Sequence, residues 1–160
     1  MKPEIDFALH QQWIDQAIAL AKAAGQVGEI PVGAIVVDHH QQIIATGVNR
    51  RERDRNPIAH AEIVAIQAAA QNLKRWQLHD CSLYVTLEPC PMCAGAILQA
   101  RIKRLVYGAI DPKAGAIHTV LNLPHSPATF HRLEAIAGIR AQACQQLLQD
   151  WFQAHRHASD

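Results

Sequence analysis

The sequence lacks an excess of charge of either sign, a long hydrophobic run and an apolar leader. Fifteen Lys and Arg residues against 14 Asp and Glu give a formal charge of +1, so binding to nucleic acid would need a local basic patch. The longest apolar run, residues 30–37, is too short to cross a bilayer. Residues 1–12 are polar and mixed, which predicts no signal peptide. These absences disfavour membrane and secreted proteins.

Cysteine is also scarce, with four residues in the chain. A sequence with few cysteines and no secretion signal is typical of the reduced cytoplasm, where disulfides are rare. In that setting a Cys-x-x-Cys pair more often binds a metal or carries redox chemistry. We therefore expect a cytoplasmic protein whose cysteines are thiols.

The sequence does contain enough apolar residues to form the core of one globular domain. The chain has 160 residues, 49% of them hydrophobic, which predicts a single domain over residues 1–160. Segments rich in β-branched residues alternate with segments of helical period, and this alternation predicts a layered α/β fold. The predicted strands cover 31–38, 43–48, 82–87, 104–108 and 132–137, and the predicted helices cover 13–24, 59–72, 92–100 and 139–155. Residues 49–57, with four arginines, and 111–127 are predicted to be irregular.

The strongest chemical signal is a candidate metal site. Cys90 and Cys93 are three residues apart, so both sulfurs can lie on one side of a helical turn, and His60 can supply a third ligand. Three ligands of this type leave the fourth tetrahedral position of a zinc ion open for water, as in catalytic sites. Glu62 follows His60 by two residues and is the candidate proton shuttle. The pattern predicts hydrolytic deamination at an amino-bearing ring carbon.

Two other interpretations of the same cysteines remain open at this stage. The Cys-x-x-Cys pair could be a redox couple. Alternatively, the zinc could be purely structural if one of the ten histidines or Cys81 completes four protein ligands. Cys81 and Cys144 are otherwise expected to be small residues of the core.

With these residues in place, the chain resembles the bacterial tRNA-specific adenosine deaminases (the TadA family) of the cytidine deaminase-like superfamily. The pattern His-x-Glu followed by Pro-Cys-x-x-Cys is shared by the zinc nucleobase deaminases as a whole. The runs 86–95 (TLEPCPMCAG) and 108–113 (GAIDPK) are narrower matches. The resemblance extends from the first helix to about Phe152.

The resemblance implies a fold, a cofactor and a substrate. The fold would be a three-layer α/β/α CMP/dCMP-type deaminase domain around a central mixed sheet of about five strands. The protein would be a homodimer with one zinc ion per subunit, deaminating adenosine to inosine at the wobble position (34) of tRNA-Arg with anticodon ACG. Such enzymes bind the anticodon stem-loop with both subunits, where the target base is already unpaired.

The resemblance also implies substrate contacts, position by position. Asn49 would hydrogen-bond the flipped base and Val32 would pack on it. Backbone groups near Ala61 and Glu88 would read the edge of the base.

The remaining implied contacts lie outside the base itself. Asp111 would contact a neighbouring ribose, and Lys113 the backbone nearby. Trp151 and Phe152 match an aromatic pair that packs near the anticodon.

The chain departs from the family pattern in three places. Residues 115–119 read GAIHT where relatives often have GAAGS, Ile110 stands where arginine is frequent, and the last helix carries fewer basic residues. The zinc motif is unaffected, and the four arginines of residues 49–57 could compensate for the lost basic charge. Two rival functions stay open: deamination of a free base or nucleoside such as guanine, cytosine or cytidine, and a nucleic-acid-binding module with a structural zinc.

Overall fold

The computed structural model describes residues 5–156, which form one five-stranded mixed sheet with helices on both faces. The strands are β1 (Gly33–Val37), β2 (Ile43–Val48), β3 (Ser82–Leu87), β4 (Arg104–Ala109) and β5 (Glu134–Ile136). The helices are α1 (Phe7–Gln26), α2 (Arg51–Asp54), α3 (Ala61–Leu73), α4 (Pro91–Gln99) and α5 (Ala141–Arg156), with a 3₁₀ turn at Leu123–His125.

The order of strands across the sheet is β2-β1-β3-β4-β5. Strand β1 runs antiparallel to both β2 and β3, with Ala34 opposite Val85, whereas β3, β4 and β5 are mutually parallel, with Leu83 opposite Leu105. All five residues of β1 are buried. This burial is expected for an apolar, β-branched strand covered on both faces.

Two separate cores confirm the predicted three-layer arrangement. On one face, the alanines of α3 and residues of α4 pack against inward side chains of β1, β3 and β4. On the opposite face, Ile14 and Ala17 of α1 and Cys144 near the start of α5 pack against the alternate side chains of those strands. Cys81 and Cys144 are buried free thiols, as expected for core residues.

The elements differ from the sequence predictions by one or two residues at several ends, and by more at the start of α1 and at α2. Helix α1 begins at Phe7, six residues early, because the Asp6 carboxylate accepts a hydrogen bond from the backbone N–H of Leu9 and caps the helix. Helix α2 lies within the stretch predicted as a polar loop. Helix α5 begins at Ala141 rather than 139, because the N–H of Ile139 donates to the carbonyl of Tyr107 beside the sheet.

Gly47 of β2 sets how closely α3 approaches the sheet. A Cβ atom at this position would overlap the carbonyl oxygen of Ala61 and lie 2.6 Å from the backbone nitrogen of Ala65. Both are backbone atoms of α3, so the helix can relieve the overlap only by moving as a body.

Among residues 5–156, no helix is long and apolar enough to cross a membrane.

Gly47→Ala should therefore displace α3, the helix that follows His60 and carries Glu62. We expect a loss of about 1–3 kcal/mol in the free energy of unfolding, as for overpacked cores, together with weaker zinc retention. Thermal unfolding and zinc content per chain measure the two effects. Gly95→Ala in α4 is the matched control, since a Cβ there meets no atom within 4 Å. Equal values for the two variants would contradict the expectation.

Candidate active site

The three candidate metal ligands lie at the starts of two helices on the same face of the sheet. His60 is the N-cap of α3 and Cys90 is the N-cap of α4, where Pro91 at the first helical position fixes the backbone and Cys93 follows within the first turn. Helix N-termini present unpaired N–H groups and the positive end of the dipole, which favour thiolates. The sequence prediction that both motifs begin helices is confirmed.

The distances among these ligands fit a tetrahedral zinc ion. The Nδ1 atom of His60 lies 3.6 Å from the sulfur of Cys90 and 3.5 Å from that of Cys93. Zinc bonds of ~2.3 Å to sulfur and ~2.0–2.1 Å to nitrogen, at tetrahedral angles, place the two donor atoms about 3.5–3.6 Å apart. In the described part of the chain, these three residues are the group whose donor atoms lie within 4.8 Å of one another. The arrangement is a three-ligand site.

The sulfur of Cys90 is prepared to bind a cation. A hydrogen bond from Cys93, helped by His60, lowers the pKa of the Cys90 thiol to about 4. The same bond, together with burial, raises the pKa of Cys93, whose side chain is fully buried. A metal ion favours both residues as thiolates because thiolate is the ligating form.

Glu62 lies beside the ligands without being one of them. It is the second residue of α3, its side chain is 4% exposed, and it does not belong to the three-ligand group. Burial raises the pKa of its carboxyl above the ordinary value, despite opposing hydrogen bonds. A carboxyl group whose pKa is shifted toward neutrality can both accept and donate a proton, as acid–base catalysis requires.

A cavity opens directly beside the ligands. Its volume is about 120 Å³, smaller than the ~300–1,000 Å³ of drug-sized ligand sites, which suits one small ring. Five of the residues implied as substrate contacts line it together with His60, Glu62 and Cys90: Val32, Asn49, Ala61, Glu88 and Asp111. Ile30, Arg51 and Leu87 line it as well, although no sequence motif assigned them to the site.

Asn49 stabilises a turn with its side chain and also lines this cavity. Its Oδ1 atom accepts a hydrogen bond from the N–H of Arg51 at 3.1 Å, and the residue is 6% exposed. Because the oxygen is already engaged, the side-chain NH₂ group is the part available to a ligand. Among residues 5–156, no hydrogen bond of this NH₂ group to protein is present.

A second groove of about 420 Å³ adjoins the cavity and shares Ile30, Asn49 and Arg51 with it. Trp151 and Phe152 of α5 line this groove rather than the cavity itself. The indole N–H of Trp151 donates to the carbonyl of Gly25, and its ring stacks on His155 with centroids 3.8 Å apart. Phe152 is 43% exposed. Trp151 is thus fixed against the body of the protein, and Phe152 is accessible.

Arg51 is placed by a buried carboxylate. Glu29 is 3% exposed and accepts hydrogen bonds from the N–H groups of Glu52 at 3.3 Å and Arg53 at 2.7 Å, which seats α2 against the body. Arg51 begins this helix and lines both cavities. The hydrogen bond from Glu52 to Glu29 joins residues 23 apart in sequence. Such a distant contact leaves no local sequence pattern, so the sequence alone predicts a polar loop at residues 49–57.

Lys113 lies outside both cavities, exposed on the segment that follows Asp111. In the same segment, His118 occupies a position where glycine is frequent in the resembled family. Its Nδ1 atom is 2.6 Å from the hydroxyl of the buried Tyr107. This departure is therefore accommodated by a contact to the sheet.

Comparisons with known proteins identify the family. Residues 8–109 match the family model of the cytidine and deoxycytidylate deaminase zinc-binding region. A tRNA-specific adenosine deaminase of Haemophilus influenzae is 47% identical over 140 residues, covering 88% of this chain and 81% of the relative. The chain belongs to the tRNA-specific adenosine deaminase family. Its cofactor is zinc, and His60, Cys90 and Cys93 are the residues placed to hold it.

Solved structures agree with this membership. A structure from a study of A-to-I editing by tRNA:A34 deaminases at the wobble position has a TM-score of 0.83 and 38% identity, covering 86% of this chain and 99% of that one. A guanine deaminase of Bacillus subtilis has a TM-score of 0.61 and 42% identity, covering 63% of this chain and 64% of that one. The fold is thus shared by enzymes that act on tRNA and on a free base.

Proposed function

We propose that this protein is a zinc-dependent hydrolase that converts adenosine to inosine at the wobble position of tRNA-Arg with anticodon ACG. The supporting observation is the joining of a base-sized cavity, beside three zinc ligands and Glu62, to a larger groove that also contains Arg51 and Phe152. A free base needs only the first cavity. A nucleotide within a chain also needs space for its neighbours.

In the proposed reaction, His60, Cys90 and Cys93 would hold the zinc ion, and its Lewis acidity would supply hydroxide from water near neutral pH. Glu62 accepts one proton from the attacking water and transfers it to the ring nitrogen next to the amino-bearing carbon. It then takes the second proton from the hydroxyl added to that carbon and transfers it to the leaving amine, as the C–N bond breaks and the C=O bond forms. Water and adenosine thus give inosine and ammonia. Burial of Glu62 keeps bulk water from competing for these protons.

The cavity residues would orient the base. In this proposal, the NH₂ group of Asn49 donates a hydrogen bond to the base, and Val32 packs on the ring. Backbone groups at Ala61 and Glu88 read its edge. Extruding the target from an anticodon loop is inexpensive because the base is unpaired.

The groove and its rim would hold the rest of the anticodon loop. Asp111 contacts a neighbouring ribose, Lys113 the backbone nearby, and Phe152 an adjacent base. We propose that the chain acts as one domain over residues 1–160, as a homodimer, in the cytoplasm, where its tRNA substrate is found. Size-exclusion chromatography with light scattering tests the dimer.

The deciding experiment is mass-resolved nucleoside analysis of tRNA-Arg(ACG) after incubation with the zinc-loaded protein. Free adenosine, cytidine and guanine are incubated in parallel. We expect inosine at the wobble position and no change in the free compounds. Turnover of guanine with unmodified tRNA would instead support the free-base deaminase, which the likeness to the Bacillus subtilis guanine deaminase makes the second candidate.

Salt dependence gives an independent test of RNA binding. Phosphate contacts release counterions, so the affinity for the anticodon stem-loop should fall steeply with salt. Arg51→Ala should reduce the slope of log K against log[salt] by about 0.7–0.9, the contribution of one phosphate. Arg75→Ala is the control, because Arg75 follows the other end of α3 and pairs with Asp80. A binding constant that does not change with salt would contradict an RNA substrate.

A further inference from the structure

The carboxylate of Glu88 is the centre of a hydrogen-bond cluster that the proposed reaction does not use. Glu88 directly follows β3, two residues before Cys90, and is 1% exposed. The donors to its carboxylate all come from residues 111–119, the segment that contains Asp111 and Lys113. A buried carboxylate whose donors all come from one segment indicates that it holds this segment in place.

The cluster engages both carboxylate oxygens. Oε2 accepts hydrogen bonds from the N–H groups of Ile117 at 3.1 Å, His118 at 2.8 Å and Thr119 at 3.1 Å. Oε1 accepts from the N–H of Asp111 at 3.2 Å and from the hydroxyl of Thr119 at 2.5 Å. Bonds to an ionised acceptor are stronger than neutral ones, so these five contacts hold both ends of the segment.

The segment is shaped to fit this carboxylate. A Cβ atom on Gly115 would overlap Oε1 of Glu88 and lie 2.5 Å from its Cδ atom. The N–H of Ala116 donates to the carbonyl of Pro89 at 2.9 Å, which holds the middle of the segment as well. The segment is thus seated on residues that directly precede the zinc ligand Cys90.

This seating fixes how Asp111 meets the base cavity. Oδ1 of Asp111 accepts from the N–H groups of Lys113 at 3.0 Å and Ala114 at 3.2 Å. Within residues 5–156, no hydrogen bond to protein involves Oδ2, so this oxygen is available to a ligand. Asp111 lines the cavity, and its own N–H is held by Glu88.

We infer that Glu88 is a positioning residue for RNA binding: its carboxylate holds residues 111–119 at the cavity mouth so that Asp111 and Lys113 can contact the RNA. The inference rests on the proposed function. Five donors occupy the carboxylate, so Glu88 takes no part in moving protons. Because Asp111 and Lys113 would bind the RNA equally in the ground and transition states, their displacement raises KM and leaves kcat nearly unchanged.

Two variants disturb the same contact from opposite sides. Glu88→Gln keeps the shape but places an NH₂ group among donors, and Gly115→Ala crowds the carboxylate from the segment. We expect KM for tRNA-Arg(ACG) to rise at least about tenfold in both, with kcat within about threefold of the wild type. Zinc content should stay at the wild-type value, and the amides of residues 117–119 should exchange hydrogen faster. Glu134→Gln, an exposed residue of β5, and Gly95→Ala are the matched controls.

Other outcomes overturn the inference. Wild-type KM and wild-type amide exchange in both variants would show that the segment does not need Glu88. A fall in kcat together with zinc content would assign Glu88 to the metal site instead. A wild-type protein that leaves tRNA unmodified would remove the proposed function, and the exchange measurement would still decide whether Glu88 holds the segment.

Discussion

Glu62→Ala should abolish deamination while the protein keeps its full zinc content. Glu62 lines the cavity without being a zinc ligand, and burial raises the pKa of its carboxyl, which suits acid–base catalysis. Acid–base catalysis contributes about 10²–10⁴-fold in rate. Because Glu62 serves more than one proton transfer, we expect kcat to fall by ~10⁴-fold. Single-turnover formation of inosine measures the rate, and atomic absorption measures zinc per chain.

Two companion variants sharpen this test. Glu62→Gln preserves the shape of the side chain and should be almost as inactive, since it cannot exchange a proton. Glu134→Ala removes an exposed carboxylate of β5 and should leave the rate unchanged. If Glu62→Ala deaminated at the wild-type rate, the mechanism would be wrong, whatever the substrate.

Cys90→Ser should lose zinc and, with it, much of the stability of the fold. Cys90 is one of three ligands, and replacing thiolate by hydroxyl removes a soft, charged donor. Changes to groups around zinc ligands already cost about 10–100-fold in affinity, so loss of a ligand should cost at least about 100-fold. A metal that binds only the folded state stabilises it, so the melting temperature should fall as well.

Cys144→Ser is the matched control for this substitution. Cys144 is a buried free thiol on the opposite face of the sheet, and its replacement should lower stability without changing zinc content. Zinc titration monitored by thermal unfolding separates the two variants, because added zinc should raise the melting temperature of Cys144→Ser but not of Cys90→Ser. Full zinc retention by Cys90→Ser would require a different ligand set.

The parts of the site that follow local rules are predictable from the amino-acid pattern. His60 and Cys90 each precede a helix, and Pro91 marks the start of the second one, so the spacing alone places these ligands at helix starts. Two strands are predictable for a similar reason: β1 (GAIVV) is a continuous apolar run rich in β-branched residues, and β3 (SLYVTL) consists mainly of β-branched, aromatic and aliphatic residues. Side chains that act where their own element begins or ends leave a readable pattern.

The parts that depend on distant contacts are not predictable in this way. Glu29 seats α2 through residues more than twenty positions away, and Glu88 holds residues 111–119 in the same manner. Neither contact has a period or spacing that a sequence pattern could reveal. The early start of α1 is different, because Asp6 is an ordinary capping residue and its signal is present in the sequence. Phe152 also follows this division: its helix is predictable, but its place in the adjoining groove depends on tertiary packing.

The spacing of the zinc ligands along the chain has a consequence for folding. His60 and Cys90 are 30 residues apart, so an ion held between them ties the chain into a closed loop that contains α3 and β3. A covalent cross-link of that span would restrict the unfolded chain by about 4 kcal/mol in the loop-entropy model. The three ligand atoms lie within reach of one ion because the starts of α3 and α4 lie side by side on the sheet. The complete ligand set therefore exists only when the two helices are assembled, and a bound metal ion links their starts reversibly.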